Sequence, residues 1–422
     1  MSSVESLKTH NKFKKTEIGE IPVDWELTRL GDVVEKFING GTPDTKEKSY
    51  WEGNIPWITG ADFENQKVKK VRHYIAQNAV KNSSTNVIPG GSLLVVTRTG
   101  VGKLAVAPFD VAISQDITGV IPKITFPNSE FLYWHLNNFS HRLTAVIQGT
   151  SINGLLRGDL ATFPIALPPN TEQKKIAEIL STVDAAIEKI DAVIEKTEQL
   201  KKGLMHQLLT RGIGHTKFKK TEIGKIPAEW RIKKLQEVAV IERGKFQHRP
   251  RNEPRFYGGK YPFVQTGDVT ASNGRITSYT QSLNDEGLAI SRLFPKGTIL
   301  ITIAANIADT GIAEFDVAFP DSLVGIVVND EMDNRFLEYY LRTRKEHFNS
   351  LATQSAQKNI NLETLRPYPA PVPPKPEQMK IAEILTDVDR EIEKETFQKR
   401  MLEGLKKELM GLLLTGKIRT TF

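Results

Sequence analysis

A duplicated block of sequence constrains this chain of 422 residues more than any other feature. The segment KFKKTEIGEIPVDWELTRLGDVV, from Lys12 to Val34, returns 205 residues later as KFKKTEIGKIPAEWRIKKLQEVA, from Lys217 to Ala239. A second pair of segments recurs at the same offset, as EQKKIAEILSTVDAAIEK from Glu172 and EQMKIAEILTDVDREIEK from Glu377. Short solenoid repeats have periods of about 20 to 50 residues. Two matched blocks at this offset therefore predict a tandem of whole domains.

Between the matched blocks, the two copies share a framework and differ in their inserts. Residues 40–80 and 245–290 resemble each other only in a short trace, TGAD ending at Asp62 and TGD ending at Asp268. The rest of each copy aligns more closely, for example in the shared tetrapeptide FDVA. This pattern is typical of two copies of one binding domain that bind different targets.

The second block of each copy begins a long helix. From Thr171 to Thr210 the chain has no proline and one glycine, and apolar residues recur in alternating steps of four and three. This spacing is typical of a coiled-coil seam. The predicted seam of the two helices consists of Ile176, Leu180, Val183, Ile187, Ile190, Ile194, Leu204, Leu208, Ile381, Leu385, Val388, Ile392, Met401, Leu405 and Leu409. In the second helix, the predicted seam changes phase between Ile392 and Met401.

Each predicted helix has about 40 residues and a length of about 60 Å. A seam needs a partner helix, and the other copy is the obvious partner in a long antiparallel pair. Gly212 and Gly416 are the predicted stops of the two helices. The alternative is two ordinary core helices in separate domains, although a globular helix is usually far shorter. The predicted organisation is a first globular domain at 1–170, a spacer helix at 171–213, a second globular domain at 214–375, and a second helix with the tail at 376–422.

Short β-rich runs separated by Gly, Pro and Asn turns fill both globular domains. They lie at Ser92–Thr97, Val111–Ile113, Ile117–Ile121, Thr298–Ile303 and Leu323–Val328. Residues 130–147 and 334–352 have the pattern of amphipathic helices. The predicted fold class is α+β, with a curved mixed sheet and helices in each domain.

The composition restricts the classes of function. Lys and Arg together number 57 against 50 Asp and Glu, a net charge of +7, which permits a polyanionic partner without requiring one. The absence of cysteine excludes disulfides, thiolate metal sites and cysteine nucleophiles. No apolar run approaches the roughly 20 residues of a membrane helix, and the first residues lack the apolar stretch of a secretory signal. The expected compartment is the cytoplasm.

Motifs for catalysis are missing from the sequence. It contains no phosphate-binding loop, no dinucleotide fingerprint and no HExxH metal motif. Glu172-Gln173-Lys174 fits part of a nuclease motif, but the second copy has Met379 in place of the lysine. Glu172 and Glu377 are better explained as first-turn acids that interact favourably with the helix dipole. We therefore expect no catalytic residue and no metal site in this chain.

The variable inserts carry residues suited to binding nucleic acid. Lys and Arg attract phosphates, Arg, Gln and Asn can hydrogen-bond base edges, and aromatic rings can stack on an extruded base. A strip of amide and hydroxyl side chains before each long helix is a second candidate, although turn formation explains it nearly as well. In the first domain the candidates are Lys46, Lys48, Tyr50, Trp51, Trp57, Lys67, Lys69, Lys70, Arg72, Arg98, Lys103, Gln148, Thr150 and Asn153. In the second domain they are Arg243, Lys245, Gln247, His248, Arg249, Arg251, Arg255, Tyr257, Gln265, Thr266, Gln354, Gln357, Lys358 and Asn359.

Trp25 and Trp230 occur in the repeated framework, so we predict a structural role for both. For any single charged residue of the inserts, a solvated loop charge remains the alternative to a DNA contact.

The combined pattern resembles the DNA specificity subunit of type I restriction-modification enzymes. The resemblance is carried by the FKKTEIGxIPxxW opening of each copy and by the PPxxEQxKIAEIL segment that leads into each long helix, and it covers nearly the whole chain. It implies two target-recognition domains that each read one half of a split DNA site, with two helices as a spacer. The target-recognition inserts vary most within the family, so the resemblance assigns no base-reading residue.

The resemblance also implies the partners of the chain. Two modification subunits would dock on the helices and methylate adenine with S-adenosylmethionine, and restriction subunits would add ATP- and magnesium-dependent translocation and cleavage. Catalysis would then lie outside this chain. A coiled-coil scaffold for protein interactions and an inactive specificity subunit remain alternatives.

Overall fold

The chain forms two compact units in the computed structural model, which describes residues 7–9, 12–64, 67–68, 70–123, 129–143, 154–248, 253–304, 306–353 and 359–420. The first unit is Met1–Asp191 with Phe397–Phe422, and the second is Ala192–Thr396. The division falls inside both long helices. Each unit therefore contains one globular domain, the first part of one helix and the last part of the other.

Strands make up much of both globular domains. In the first half of the chain they are β1 Leu7–Thr9, β2 Phe13–Thr16, β3 Gly19–Pro22, β4 Glu26–Arg29, β5 Val34–Asn39, β6 Ile55–Ile58, β7 Phe63–Glu64, β8 Lys67–Val68, β9 His73–Ile75, β10 Asn86–Ile88, β11 Leu93–Val96, β12 Leu104–Val106, β13 Val111–Ile113, β14 Ile117–Pro122 and β15 Pro164–Leu167. In the second half they are β16 Phe218–Thr221, β17 Gly224–Pro227, β18 Arg231–Lys234, β19 Ala239–Arg243, β20 Tyr257–Phe263, β21 Gly274–Ile276, β22 Gln281–Leu283, β23 Leu293–Phe294, β24 Ile299–Thr302, β25 Thr310–Ala313, β26 Val317–Ala318, β27 Leu323–Val328, β28 Pro369–Val372 and β29 Ile418–Thr420.

Short helices connect the strands, and two long helices follow the globular domains. The helices are α1 Leu30–Val33, α2 Gln77–Asn82, α3 Ser129–Asn138, α4 Arg157–Ala161, α5 Asn170–Arg211, α6 Leu235–Val238, α7 Thr266–Ala271, α8 Asp285–Ala289, α9 Asn334–Thr343, α10 Lys345–Thr353, α11 Leu362–Leu365 and α12 Lys375–Leu413. No helix in the described parts of the chain is both long and apolar enough to span a bilayer.

Each globular domain is built around two main sheets. In the first domain the strand orders are β12-β11-β14-β5 and β10-β13-β6-β9, and in the second they are β19-β27-β24-β25-β21 and β22-β20-β26-β23. Parallel pairs such as β6 with β13, and β21 with β25, occur beside antiparallel ones. The predicted mixed α+β class is confirmed, with two sheets in place of the one curved sheet that we expected.

The central strands are apolar along their whole length because both of their faces are covered. In β11, Leu93 and Val95 belong to one hydrophobic core, whereas Leu94 and Val96 belong to another. Successive side chains of a strand point to opposite faces, so this strand separates the two cores. A run of four buried residues is the expected sequence for such a strand.

Two predicted helices are shorter than their sequence patterns suggested. Residues 334–352 form two helices, α9 and α10, with a break at Arg344. In the first domain, α3 ends at Asn138, and residues 144–147 of the predicted helix lie outside the described residues. The predicted strands appear with small changes at their ends.

The hydrophobic core of each unit includes parts of both long helices. In the first unit, Ile176 and Leu180 of α5 share a core with Leu413, at the end of α12. In the second unit, Ile381 of α12 shares a core with Leu208, near the end of α5. Each helix therefore begins on one unit's core and ends on the other's.

Glycine ends both long helices, as predicted. Gly212 has φ of 63° and Gly416 has φ of 67°, in the left-handed region that glycine adopts without a steric penalty. Neither position has room for a side chain, because a Cβ atom at Gly212 would lie 2.4 Å from Glu377 Oε1, and one at Gly416 would lie 2.3 Å from Pro22 Cγ.

The long helices pack antiparallel and are joined by ion pairs. In the first unit, Lys406 Nζ is 2.5 Å from Asp184 Oδ1, and Lys399 Nζ is 2.6 Å from Asp191 Oδ1. The residue number on α5 increases from 184 to 191 while that of its partner on α12 decreases from 406 to 399, as in an antiparallel pair. In the second unit, Lys201 pairs with Asp389. Lys201 and Lys406 are 205 residues apart, as are the two aspartates, so these pairs are repeats of one interaction.

The predicted change of phase in the second helix is wrong. Met401 and Leu405 are 60% and 44% exposed, so they do not lie in the seam. The steps of four and three continue after Ile392 through Glu395, Lys399, Leu402, Lys406 and Leu409. Lysine fits at two of these positions because Asp191 and Asp184 of α5 face them. The other predicted seam residues are buried or half-buried.

Candidate nucleic-acid interface

The insert at 243–260 of the second domain carries aromatic residues inside and cations outside. Phe246 and Phe256 are buried in a small core with Phe263 of β20, and Tyr257 packs against that core. We had expected Tyr257 to stack on a base, but its ring lies 5.8 Å from Phe246 and 6.1 Å from Phe263, between ring centres. The aromatic residues of this insert therefore serve chiefly to fold it.

Several polar candidates of the same insert lie on its surface. Lys245, Gln247 and Arg255 are exposed. The guanidinium of Arg255 lies 4.5 Å from the centre of the Phe256 ring, which fixes its direction. Arg243 is also exposed and donates from Nε to the carbonyl of Asp321. His248 is half-buried against Phe256, and Arg249 and Arg251 lie outside the described residues.

The aromatic candidates of the first domain form a structural cluster. Trp57 is 5% exposed, and its Nε1 donates to the carbonyl of Gly41 at 3.1 Å. The Trp51 ring packs edge-on against Trp57 at 5.2 Å, and Trp51 Nε1 donates to the carbonyl of Asp44. Trp57 is therefore not available for a base, and our expectation for it is wrong. Trp51 and Tyr50 are half-buried at the edge of the cluster.

Cationic candidates of the first insert differ in their surroundings. Lys67 Nζ lies 2.9 Å from Glu188 Oε1 and 3.2 Å from Asp184 Oδ2, both on α5, so it fastens the insert to the helix. Burial would lower the pKa of Lys67, but the hydrogen bonds that it donates to these two carboxylates raise it. This role replaces the predicted phosphate contact of Lys67. Lys46, Lys48 and Lys70 are exposed, and Lys69 lies outside the described residues.

A hairpin loop of the first domain carries Arg98 and Lys103, both exposed, between β11 and β12. The amide of Leu155 donates to the carbonyl of Thr97 at 2.7 Å. This bond holds the residue that follows the predicted polar strip next to the hairpin loop. In the second domain the amide of Ile360 donates to Ile303 in the corresponding place. The predicted residues Gln148, Thr150, Asn153, Gln354, Gln357 and Lys358 lie outside the described residues, and Asn359 is half-buried beside the second anchor.

An aspartate organises the turn that contains the shared TG trace in each domain. In the first domain Asp62 is 3% exposed and accepts hydrogen bonds from the Thr59 amide and from Arg72. In the second domain Asp268 accepts from the Gln265 amide at 2.8 Å and from the Thr280 hydroxyl at 3.2 Å. Arg72 is exposed, and Gln265 and Thr266 are half-exposed, so these three predicted residues remain candidates.

Sequence reasoning missed the neighbours of these candidates. The exposed Gln281 accepts a hydrogen bond of 2.9 Å from Gln265 Nε2. Asn306 is exposed beside Thr270, in a loop where Ala308 has a left-handed φ of 64°. Neither residue stands out in the sequence, because only the fold brings β22 and this loop next to α7.

The glutamates at the start of the long helices have a structural role that the sequence did not reveal. Glu172 Oε2 accepts from Trp25 Nε1 at 3.3 Å, and Glu377 Oε2 accepts from Trp230 Nε1 at 3.0 Å. Both tryptophans are fully buried, as their predicted structural role requires. The charged partner differs between units, because Arg419 binds Glu172 whereas His215 binds Glu377 at 2.9 Å.

The following glutamine anchors each long helix to the domain before it. Gln173 Nε2 donates to the carbonyl of Pro168, and Gln378 Nε2 donates to that of Pro373. The EQ dipeptide and the preceding PP dipeptide are thus parts of one joint between domain and helix.

These surfaces offer exposed cations beside hydrogen-bonding side chains held in defined directions. Cations suit the sequence-independent attraction of phosphates, and oriented donors and acceptors suit the reading of base edges. In the described parts of the chain, no group of three or more His, Asp and Glu residues is placed to hold a metal ion.

Comparison with known proteins gives one consistent result. The family model described as type I restriction modification DNA specificity domain matches residues 22–199 and again residues 227–400. The type I restriction enzyme MjaVIII specificity subunit of Methanocaldococcus jannaschii is 30% identical, over 96% of each chain. The EcoDI specificity subunit of Escherichia coli is 24% identical, over 86% of this chain and 81% of its own.

The fold has a counterpart among solved structures. A crystal structure of the type I restriction-modification system S subunit from M. genitalium matches with a TM-score of 0.63. It covers 92% of this chain and 96% of its own length at 16% identity, so the likeness concerns the fold.

Proposed function

Because the chain belongs to the family of type I restriction-modification DNA specificity subunits, we propose that its two globular domains read two different halves of one split DNA site. The observation that carries this proposal is a repeated framework with unlike inserts. The aspartate turn recurs at Asp62 and Asp268, whereas the side chains around it differ. Two unlike readers require a site that is not a palindrome, because a palindrome mirrors two equal readers.

The long helices set the distance between the two halves of the site. Each is continuous, over 42 residues in α5 and 39 in α12, and each runs from one unit into the other. Ion pairs equivalent in the repeat, Lys406 with Asp184 and Lys201 with Asp389, support a fixed register between the helices. A fixed register supports a gap of constant length in the DNA site.

The chemistry belongs to partner subunits. Two modification subunits dock on the long helices and use S-adenosylmethionine, and restriction subunits supply ATP- and magnesium-dependent cleavage where the system has them. This chain contributes no catalytic group or cofactor site and acts with DNA in the cytoplasm. Family membership supports these assignments, and the exposed apolar side chains of α12 support docking on the helices.

The proposal is tested by mapping methylated bases. The chain is expressed with its modification subunit in a host that lacks DNA methylation, and modified adenines are located by single-molecule sequencing. We expect a split motif with one fixed gap, which disappears when this chain is left out.

Two other results would contradict the proposal. A motif that is continuous or palindromic would show that the two domains do not read separate, unlike halves. A stable complex with the modification subunit that methylates no DNA would favour an inactive specificity subunit or a scaffold.

A further inference from the structure

The aspartate turn holds a different side chain at the same place in each globular domain. In the first domain, Arg72 precedes β9 and binds Asp62, and in the second, Thr280 precedes β22 and binds Asp268. The aspartate and its backbone partner are therefore constant, and the residue that the aspartate orients is variable. A position of this kind can change specificity without changing the fold.

Arg72 is held firmly although its end is open to solvent. Its Nε donates to Asp62 Oδ1 at 2.6 Å, and its Nη2 donates to Asp62 Oδ2 at 3.1 Å and to Thr59 Oγ1 at 2.9 Å. The Asp62 side chain is fully buried, whereas the Arg72 side chain is 43% exposed. Burial alone would raise the pKa of Asp62, yet the hydrogen bonds from Arg72 and Thr59 lower it, so the carboxylate stays charged.

The three bonds use three of the five N–H donors of the guanidinium. None of these bonds uses the two N–H donors of Nη1. Because Asp62 and Thr59 fix the orientation of the guanidinium, they also fix the direction of these two donors. A side chain of this type offers only donors to a ligand. Guanine presents two acceptors, N7 and O6, and no donor on its major-groove side, whereas thymine presents one acceptor beside a methyl group, and adenine and cytosine each present an amino donor. Two donors held in a fixed direction therefore fit guanine best.

The surroundings of Arg72 fit contact with a DNA strand. Lys103 Nζ donates to the carbonyl of Gly60 at 3.2 Å, which brings the exposed hairpin loop against the turn that holds Asp62. Arg98 lies in the same loop and is exposed. Exposed cations beside a fixed guanidinium match the division between phosphate contacts that position a protein and base contacts that specify a sequence.

We infer that Arg72, oriented by Asp62 and Thr59, reads a guanine in the half-site of the first domain. This inference rests on the proposed function and names one of its base-reading residues. In the second domain, the uncharged Thr280 takes the place of Arg72 on Asp268, and the amide of Gln265 is hydrogen-bonded to that of Gln281. An amide offers both a donor and an acceptor, so the second domain reads a different base pattern at this position.

The variant R72K tests the inference in the complete complex with the modification subunit. Lysine keeps a positive charge for the buried Asp62, but its single nitrogen cannot bind Asp62 and Thr59 and at the same time present two fixed donors to N7 and O6. We expect one guanine of the first half-site to become degenerate in the methylation map, while the second half-site and the gap stay unchanged. Loss of a well-placed base contact corresponds to roughly 10- to 100-fold in discrimination.

Arg275 offers a matched control in the second domain. Its Nε lies 3.2 Å from Glu314 Oε1 and its side chain is 45% exposed, so R275K makes the same exchange at an arginine of similar exposure, in an ion pair whose acid is 34% exposed. We expect R275K to leave both half-sites unchanged. The other bases of the first half-site report whether the first domain of R72K is folded, because the same domain must read them.

A modified DNA isolates the contact itself. In a competition assay, the guanine identified above is replaced by 7-deazaguanine, which lacks the N7 acceptor. The wild-type complex should lose roughly tenfold or more in affinity, and the R72K complex should not distinguish the two DNAs.

Two results would overturn the inference while the proposed function stands: a wild-type first half-site without guanine, or a motif that R72K leaves unchanged. If the wild-type chain directs no split motif, both fail.

Discussion

Position 135 distinguishes the interiors of the two globular domains. His135 is fully buried beside the rings of Phe131 and Phe139, and Tyr340 occupies the corresponding position in the repeat. Burial, together with the smaller effect of the charge of Arg142, lowers the pKa of His135 to about 4. The folded domain therefore holds a neutral imidazole throughout the physiological range of pH.

We expect this histidine to destabilise the first domain in acid. Between the ordinary pKa of 6.5 and the folded value of about 4, the unfolded chain binds a proton that the folded chain excludes. The free energy of unfolding should therefore rise with pH across this range, by at most about 1.4 kcal/mol per pH unit. The variant H135F removes the titrating group and should flatten the profile, as measured by urea unfolding from pH 4 to pH 8.

The variant H141F supplies the control, because it replaces an exposed histidine of the same segment by the same residue. If H135F and the wild type show the same dependence on pH, other groups are responsible for it.

At the level of residues, the sequence was informative about framework and less so about contacts. The repetition of Trp25 and Trp230 indicated structural residues, and both are fully buried. Trp57 looked equally suited to stacking on a base, but the fold buries it against Gly41 and Trp51. Lys67 is another example, since its acidic partners are more than a hundred residues away on α5. Composition of a loop does not reveal such distant partners.

The spacer helices permit a prediction at the level of elements. Insertion of seven residues into both helices, after Asp191 and after Thr396, keeps the alternation of four and three. Seven residues add about 10 Å of helix, which corresponds to about three base pairs. We expect the gap of the split motif to lengthen by about this amount while both half-sites stay the same.

The same methylation map provides the readout. Insertion into one helix alone is the control, because the pairs Lys406–Asp184 and Lys201–Asp389 can then no longer both stay in register, and methylation should weaken or disappear. A gap that does not change in the double insertion would remove the spacer role.

The exposed apolar face of α12 leads to a prediction about the modification subunits. Phe397, Met401 and Leu405 lie four residues apart on one face, and Phe397 is 64% exposed. Exposed apolar surface of this kind is typical of a protein interface. Replacement of all three by serine should weaken binding of a modification subunit roughly tenfold or more, as measured by copurification and by titration.

The variant V240S is the control, because Val240 is 60% exposed on β19, away from the helices. Full retention of the modification subunits by the triple variant would exclude this face as a docking surface.

Elements were predicted more reliably than contacts. Both long helices and the strands Val111–Ile113 and Leu323–Val328 follow from periodicity and from continuous apolar runs. The phase of the second helix was mistaken because Lys399 and Lys406 occupy seam positions that the pattern treats as polar. Only the opposite charges on α5 explain why lysine is acceptable there.

At the scale of the whole molecule, sequence and structure divide the chain differently. The sequence suggests boundaries where each long helix begins, because the PP dipeptides and the helical periodicity mark those points. The structural units instead divide both helices, at Asp191 and at Thr396. The reason is that each helix packs its first turns on one core and its last turns on the other. The apolar periodicity of a helix stays the same along its length, so it does not reveal that the two ends pack on different cores.

The pairing of β1 with β29 determines how the first unit would respond to mechanical load. Leu7 is opposite Thr420 and Thr9 is opposite Ile418, so a pull on the two chain ends acts on the same end of the ladder. Such a load opens hydrogen bonds one after another, in the manner of a zipper, and it reaches Arg419 and its bond to Glu172 almost at once. In the second unit the chain itself continues through Gly212 at the place that corresponds to the β1–β29 pairing, so no pair of strands can separate there. Tension applied through Leu7 and Thr420 would therefore open the first unit at this two-stranded pairing first.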